Sequence, residues 1–402
     1  MITWIGVRRH CVRVGVLAGL LVCPALAAKA QDQVVSKWFR YGEGVDAAWK
    51  FVADPATPLQ VSIRRQDLER RGAPKRVLVL YPRPSSAYDI AITKILHVFE
   101  SKELNAEFTV INFEMDDKKG AAALQFAEKS KADLIFAMGS ESTAWLFDRY
   151  RGGSIPVVSV CSKDPVQLGQ MPNYTSGSKS NFAFTSLNVP VEVQMAYVRE
   201  LNPDLKNLAV LVDSKNVSAI QTQAEPIAAY ARQLGIQVIW AAVQNPARAR
   251  EELAQLVRDA VQTMRKSDLE LSKSLFWVTG STSVFREIST INENADRVPV
   301  VSVVPEIVRA GSGTAVIGIG ISFESNAHLA AIYGADILNG KAKASDLKVG
   351  VVSPPDIAIS FLKAREIGLR VPFSFFERAS FVFDYDGKPV RTIASKMPAE
   401  NN

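Results

Sequence analysis

The sequence begins the same local pattern at two well-separated places. At the later one, apolar residues run from Leu208 to Val212, a polar loop of residues 213–216 follows, and a helical pattern comes next. Residues 75–90, read KRVLVLYPRPSSAYDI, have the same build. Each stretch is typical of a buried strand with a loop at its carboxyl end and a helix behind it. Two such starts predict two similar α/β halves facing a cleft, since open α/β sheets bind ligands at the carboxyl ends of their strands.

Between and after these starts, predicted strands alternate with predicted helices. Strands separated by helices of this length favour parallel β-α-β units. Near the end of the chain, Asp386-Gly387 favours a hairpin turn within residues 380–391. The predicted strands are 77–81, 108–113, 133–138, 156–161, 182–187, 208–212, 237–243, 275–278, 298–304, 315–321 and 348–352. The predicted helices are 86–102, 118–130, 142–150, 190–201, 218–234, 246–264, 284–294, 326–338 and 356–367.

The first thirty residues have the features of a secretory signal peptide. A positively charged region precedes a short apolar run, Val14 to Val22, and small residues follow it. The apolar run is too short to span a bilayer comfortably. Cleavage is predicted near Ala27 or Ala30, which makes the mature protein periplasmic. A retained anchor is the alternative, and lipid attachment at Cys23 is disfavoured because Val22 stands where a small residue is needed.

The net charge argues against nucleic-acid binding. Residues 1–30 contain four basic residues and no Asp or Glu, so the formal charge falls from +6 to +2 when this segment is removed. A charge of that size gives little electrostatic support for binding DNA or RNA. The basic residues of the segment are Arg8, Arg9, Arg13 and Lys29.

A single cysteine, Cys161, remains after removal of the signal, because Cys11 and Cys23 lie within it. No intrachain disulfide is then possible. A lone cysteine at a strand end is expected to be a small buried side chain rather than a nucleophile. Residues 31–74 show weak periodicity and a charged run over 64–71. We interpret them as an N-terminal lead segment or a solvated helix.

The sequence carries few signals of catalysis. His97 and His328, the histidines outside the signal, both lie at helical positions, where a structural or surface role is the ordinary one. There is no paired His/Glu zinc spacing, no Gly-x-Ser-x-Gly elbow and no P-loop. Residues 311–313 and 318–320 resemble only fragments of a dinucleotide fingerprint. We therefore predict a protein that is not an enzyme and that needs no cofactor or metal.

Polar loops at the strand ends are the candidate binding residues. Free backbone N–H groups beside hydroxyls favour a carboxylate or another polar group of a small solute. The carboxylates of Asp164, Asp213 and Glu306 could bind an amino group of the solute. Plain helix capping explains the same residue types equally well. Nearby aromatic residues could stack on a flat ligand or belong to the core; they are Tyr81, Tyr88, Trp145, Trp277 and Phe285. The candidate ligand-binding residues are Ser85, Ser86, Ser140, Glu141, Ser142, Lys163, Asp164, Asp213, Asn216, Thr279, Ser281, Thr282 and Glu306.

The order of several motifs resembles one family of proteins. The most specific is Lys363 to Pro372, read KAREIGLRVP, with Arg378-Ala379 after it. The others are residues 75–81, 137–140, 158–165, 208–216, 276–283, 299–311 and 318–340. In this order they resemble the solute-binding proteins of ABC importers, and more narrowly the tryptophan- and tyrosine-type binding proteins with a type 1 periplasmic fold.

That resemblance implies two Rossmann-like lobes with parallel sheets, an interlobe hinge and three crossovers between the lobes. By analogy, lobe 1 is 75–186 plus 316–344, lobe 2 is 187–315 plus 345–385, and 386–402 is a C-terminal tail. A solute would be enclosed between the lobes, because only the closed state contacts it from both sides. The closed form would then dock on a permease in the inner membrane.

Two functions follow as hypotheses. The first is a monomeric, periplasmic solute-binding component of an ABC importer, capturing a small polar or aromatic, amino-acid-like solute. The alternative is a sensing protein on the same scaffold, which signals to a receptor instead of feeding a transporter.

Overall fold

A computed structural model describes Met1 and residues 33–66 and 72–392 of the chain. The predicted signal peptide, most of the charged run and the end of the C-terminal tail lie outside the described residues. Asp32–Asn402 forms one compact unit. No helix in the described part of the chain has both the length and the apolar character needed to cross a membrane.

The described residues form strands and helices in regular alternation from residue 75 onwards. The strands are β1 (Gln33–Val34), β2 (Arg40–Tyr41), β3 (Trp49–Ala53), β4 (Gln60–Arg65), β5 (Lys75–Tyr81), β6 (Ala106–Asn112), β7 (Leu134–Met138), β8 (Val157–Val160), β9 (Phe182–Ala183), β10 (Thr185–Ser186), β11 (Asn207–Asp213), β12 (Gln237–Val243), β13 (Ser274–Val278), β14 (Val300–Ser302), β15 (Ile317–Gly320), β16 (Gly350–Val351), β17 (Asp356–Ser360), β18 (Phe381–Phe383) and β19 (Pro389–Arg391). The helices are α1 (Ser86–Ser101), α2 (Asp117–Lys129), α3 (Gly139–Tyr150), α4 (Val191–Leu201), α5 (Val217–Ala219), α6 (Glu225–Gln233), α7 (Ala249–Arg265), α8 (Thr282–Phe285), α9 (Ile288–Asn294), α10 (Phe323–Leu338), α11 (Phe361–Ile367) and α12 (Phe373–Arg378).

Two sheets define two lobes. The first has the order β3-β4-β6-β5-β7-β8-β9, and the second has the order β12-β11-β13-β14-β15-β17-β18-β19. Strands β6, β5, β7, β8 and β9 run parallel, as do β12, β11, β13, β14 and β15. The predicted class, α/β with parallel-rich sheets in two lobes, is confirmed.

The first sheet is buried on both faces, which parallel sheets require. One apolar cluster includes Phe99, Phe108 and Phe136, and the cluster on the other face includes Phe113 and Phe182. Helix α1 contributes four fully buried side chains to the first cluster; they are Ile92, Ile95, Leu96 and Phe99.

Two strands within residues 33–66, β3 and β4, belong to the first sheet. Strands β3 and β4 form an antiparallel hairpin, and β4 pairs antiparallel with β6. Val61 and Ile63 are buried and alternate with polar residues along β4, and Trp49 packs against Phe108 with ring centroids 5.5 Å apart. The solvated-helix interpretation of this segment is therefore wrong for residues 33–66, because period-2 burial of this kind stabilises a strand.

The second sheet differs from the expected division in one respect. Strand β15, placed by analogy in lobe 1, pairs with β14 and β17 in the second sheet. The following helix, α10, packs against α1 of the first lobe. The chain thus passes between the lobes after β10, after β15 and again between β16 and β17. The β18–β19 hairpin closes with Gly387 at φ 74°, as its Asp-Gly pair predicts.

Three predicted helices differ from the structure inside their bounds, and the one ending at Asn294 is divided into α8 and α9. Residues 356–360 are strand β17, not helix, because this apolar stretch is buried between β15 and β18; helix α11 begins only after Ser360, whose hydroxyl accepts the Lys363 N–H. The helix predicted over 218–234 contains a π-helical turn, Ile220–Ala224, between α5 and α6. Single π turns inside α-helices are frequent at functional sites.

Candidate functional site

The loops that follow β5, β7 and β8 lie side by side, because these strands are neighbours in the first sheet. We call this group of loops the polar edge of the first lobe. The Ser140 hydroxyl, in the first turn of α3, accepts the Lys163 backbone N–H at 3.0 Å. Ser162 lies beside the same hydroxyl, with the two Oγ atoms 3.5 Å apart. Two of the predicted binding residues, Ser140 and Lys163, are therefore brought together.

Arg83 extends this group of residues. Its guanidinium forms an ion pair with the carboxylate of Glu141, another predicted binding residue. The residue was not predicted, although it lies in the loop after β5. Gly139, at φ +76°, lets the Tyr88 hydroxyl approach the start of α3, where any Cβ would overlap that hydroxyl. Burial raises the pKa of Tyr88 well above its ordinary value, so the hydroxyl is uncharged at neutral pH.

Lys163 is the most unusual residue of this edge. It is only 8% exposed, and no hydrogen bond or ion pair to its ammonium group is found among the described residues. Burial lowers the pKa of Lys163, and the nearby Glu141 carboxylate opposes that effect. The preceding Cys161 is buried, as expected; it adopts φ +52°, and its N–H donates to Asn326 Oδ1 at 2.7 Å.

Several predicted residues of the first lobe make structural hydrogen bonds. The Ser85 hydroxyl caps α1 by accepting the Ala87 N–H, and Ser86 is the first residue of that helix. The Ser142 hydroxyl donates to the Leu80 carbonyl at 3.0 Å. These hydrogen bonds cap a helix and fix a loop to a strand. The same types of hydroxyl group can instead bind a solute.

Both oxygens of Asp164 are occupied within the first lobe. Its Oδ1 accepts the N–H groups of Val166 and Gln167, at 2.9 and 3.0 Å. Its Oδ2 accepts the Tyr174 hydroxyl at 2.7 Å. Tyr174 belongs to the long polar loop of residues 169–180. A cavity of about 380 Å³ opens beside this pair and is also lined by Asn188 and Gln167.

The second lobe has a corresponding polar edge, formed by the loops that follow β11 and β13. Asp213, at the end of β11, accepts the Lys215 N–H at 2.9 Å and the Ser283 hydroxyl at 2.6 Å. The Thr279 hydroxyl donates to the Leu211 carbonyl and lies 3.3 Å from the Ser281 hydroxyl. The remaining predicted residues are at helix starts: Asn216 caps α5 through the Ala219 N–H, and Thr282 begins α8.

A hydrogen-bonded connection joins the two edges. Asn188 Oδ1 accepts the Asp164 N–H at 3.1 Å, and Asn188 Nδ2 donates to the Thr222 carbonyl at 2.6 Å. Thr222 belongs to the π turn, and the next residue, Gln223, accepts the Gly280 N–H at 2.7 Å. Asn188 and Gln223 are not among the predicted residues, because Asn188 is a lone polar residue after the predicted strand 182–187 and Gln223 lies inside the helix predicted over 218–234.

Glu306 joins the second lobe to α10. Its Oε1 accepts the Phe323 N–H at the start of that helix, and its Oε2 is buried without a partner among the described residues. Burial is the main cause that raises the pKa of Glu306 to about 8, and the negative charge of Asp356 adds to it. Asp356 Oδ2 itself accepts the Ser322 N–H at 3.0 Å. Two acids of the second lobe thus hold the first turn of α10.

The predicted aromatic residues lie mainly in the core. Tyr81 and Trp277 are fully buried, and Trp145 donates to Asp117 on α2 at 2.8 Å. Phe285 contacts Phe323, with ring centroids 6.1 Å apart, where α8 meets the start of α10. Within residues 33–66 and 72–392, no group of His, Cys, Asp and Glu side chains is arranged to hold a metal ion.

Comparisons with solved structures show similar folds. A conserved domain protein from Vibrio cholerae O1 biovar El Tor matches with a TM-score of 0.62 at 18% identity, over 77% of this chain and 100% of the other. An ABC domain from Streptococcus pneumoniae in complex with L-Trp matches with a TM-score of 0.60 at 18% identity, over 77% and 100%. A ligand-free, open substrate-binding protein with adhesive properties from Clostridium difficile matches with a TM-score of 0.57 at 19% identity, over 79% and 99%.

Sequence comparison identifies the family. No curated protein matches this chain significantly. The family model described as ABC transporter substrate binding protein matches residues 92–382, which is most of the chain and includes Ser140, Lys163, Asp213 and the α10 crossover. The chain therefore belongs to the ABC transporter substrate-binding protein family.

Proposed function

We propose that this protein is the periplasmic solute-binding component of an ABC importer. It captures a small polar or aromatic, amino-acid-like solute between its two lobes and delivers it to a permease in the inner membrane. In this proposal residues 1–30 direct export and are removed, the mature chain acts as a monomer, and no reaction is catalysed. Membership of the substrate-binding family supports a solute-binding role.

The observation that carries the proposal is the pair of polar edges joined through Asn188. Strand ends of the first lobe supply Ser140 and Lys163, and those of the second supply Asp213 and Ser283. A solute lying between them gains contacts from both sides only when the lobes approach each other. Such a solute therefore favours the closed state over the open one.

The proposal is tested with the mature protein and a panel of amino acids, nucleosides and small aromatic acids. We expect at least one compound to raise the melting temperature in a concentration-dependent manner, because ligand bound to the folded state stabilises it by mass action. Small-angle X-ray scattering with the same compound should show a smaller radius of gyration. If no compound of the panel stabilises the protein while a partner protein does, the sensing alternative replaces the transport proposal.

A further inference from the structure

Lys163 is a buried cation without a counter-charge in contact. Its side chain is more than nine-tenths buried, and its ammonium group makes no hydrogen bond or ion pair with the described residues. Buried lysines are rare unless they are paired, because moving an ammonium group out of water is unfavourable when nothing replaces the hydration. The Lys163 ammonium group therefore lacks a negatively charged partner, which a bound molecule can supply.

The start of α3 lies next to Lys163 and is suited to the same kind of partner. The α3 N-cap residue is Met138, which makes no side-chain cap, so the N–H groups of the first turn receive no such acceptor. The backbone of Lys163 is tied to that turn through Ser140. Helix N-termini favour negative groups, since their free N–H groups and the helix dipole both point at the ligand.

The charges around Lys163 leave one positive charge unbalanced. Glu141 is also in the first turn of α3, but Arg83 pairs with it and neutralises it. Burial raises the pKa values of the Cys161 thiol and the Tyr88 hydroxyl well above their ordinary values, so both groups are neutral at pH 7. Within residues 33–66 and 72–392, no further charged group is found to influence the ammonium.

We propose that the captured solute carries a carboxylate and that Lys163 Nζ binds this carboxylate against the first turn of α3. This inference rests on the proposed function and narrows it to a ligand class. A single unbalanced positive charge matches a monoanion. Neutral solutes such as nucleosides would leave Lys163 unpaired in the closed cleft, which is unfavourable.

The first experiment uses the unmodified mature protein and matched ligand pairs that differ only at the carboxylate. The pairs are L-tryptophan and L-tryptophanamide, L-tyrosine and L-tyrosinamide, and phenylacetate and phenylacetamide. Isothermal titration calorimetry should show that any acid that binds does so at least about tenfold more tightly than its amide, as expected for a charge-assisted hydrogen bond. An amide that binds as tightly as its acid overturns the inference and leaves the proposed function intact.

The second experiment replaces the ammonium group. Lys163→Met should weaken acid binding by about tenfold to a hundredfold and change amide binding by less than about twofold. It should also raise the melting temperature of the ligand-free protein, because an unpaired buried charge is removed. The matched control is Lys129→Met, which changes an exposed lysine of the same lobe at the far end of α2.

The outcomes separate this inference from the proposed function. Equal loss of acid and amide binding in Lys163→Met, or equal behaviour of the Lys163 and Lys129 variants, contradicts a carboxylate contact. Tighter binding of inorganic phosphate than of every acid contradicts the ligand class. If neither acids, amides nor nucleosides bind the unmodified protein, the proposed function fails and the inference fails with it.

Discussion

Glu306 holds its carboxyl group in a place where ionisation is unfavourable. Its Oε2 is buried without a partner among the described residues, and burial raises its pKa from about 4.5 to about 8. In the unfolded chain the same group ionises near its ordinary value. Unfolding therefore releases a proton between pH 5 and pH 8, and the folded state loses stability as the pH rises through that range.

Replacing Glu306 by glutamine removes this dependence, because the amide keeps an oxygen for the Phe323 N–H and cannot ionise. We expect the free energy of unfolding of the wild type to fall relative to that of Glu306→Gln between pH 5 and pH 8, by at most about 5 kcal/mol. Above pH 8 the difference should be constant. Urea unfolding of both proteins at several pH values measures it, and parallel pH profiles would contradict the prediction.

The sequence predicts which residues lie at the strand ends, but not whether their side chains cap a helix or bind a solute. Ser85, Asn216 and Ser142 lie where the sequence places them, yet their side chains bind the backbone of their own lobe. The hydroxyl or amide that caps a helix is the same group that binds a solute, so sequence alone cannot separate the two roles. Lys163 is distinguished only by its burial and its lack of a partner, which are properties of the fold.

At the scale of single elements, the start of α3 depends on the absence of a side chain. Gly139 has φ +76°, and a Cβ there would overlap the Tyr88 hydroxyl. Gly152, at the other end of the same helix, has φ +86° but has open space around it. The two glycines therefore share backbone strain on substitution and differ in the clash.

Gly139→Ala should destabilise the protein by several kcal/mol, whereas Gly152→Ala should cost only about 1 kcal/mol of conformational strain. The larger loss of stability in the Gly139 variant arises because Tyr88 must move away from the start of α3. Urea unfolding measures both values. Equal losses in the two variants would mean that Tyr88 does not restrict this turn. The Gly139 variant should also weaken solute binding, since it displaces the first turn that adjoins Lys163.

The alternating elements after residue 75 were predictable because each parallel strand is a short apolar run followed by an amphipathic helix. Strand β17 was missed, since its apolar residues directly precede the helical pattern of α11 and no Gly or Pro separates them. Strand β4 was missed although Val61 and Ile63 alternate with polar residues, because the charged residues around it suggested a solvated segment. The site residues Arg83, Asn188 and Gln223 come from positions whose roles depend on pairing across the fold.

At the scale of the whole molecule, residues 33–66 are part of the first lobe. Trp49, Val61 and Ile63 are buried, and the ring of Trp38 contacts Tyr81 with centroids 5.8 Å apart. The β3–β4 hairpin also covers the edge of β6, whose backbone groups would otherwise be unpaired. This segment is consequently part of the fold and not a detachable lead.

A protein beginning at residue 73 should melt at least about 10 °C below one beginning at residue 33. Removal of the hairpin exposes several large apolar side chains, each of which contributes about 1.5–3 kcal/mol by burial. Differential scanning calorimetry of the two proteins provides the comparison. A difference of less than about 2 °C would show that the first lobe is stable without its added strands.

Helix α10 is attached to both lobes. Its first turn is bound by Glu306 and Asp356 of the second lobe and also carries the 2.9 Å ion pair between Glu324 and Lys94 of α1, while the rest of the helix packs on α1. Sliding of one lobe along the other would break the contacts of this helix either with Glu306 and Asp356 or with α1. A rotation of the lobes keeps both sets of contacts, so rotation is the movement that we expect. We therefore expect a pivot near Ser322, where α10 begins, with the backbone hydrogen bonds of both sheets kept when the lobes approach each other.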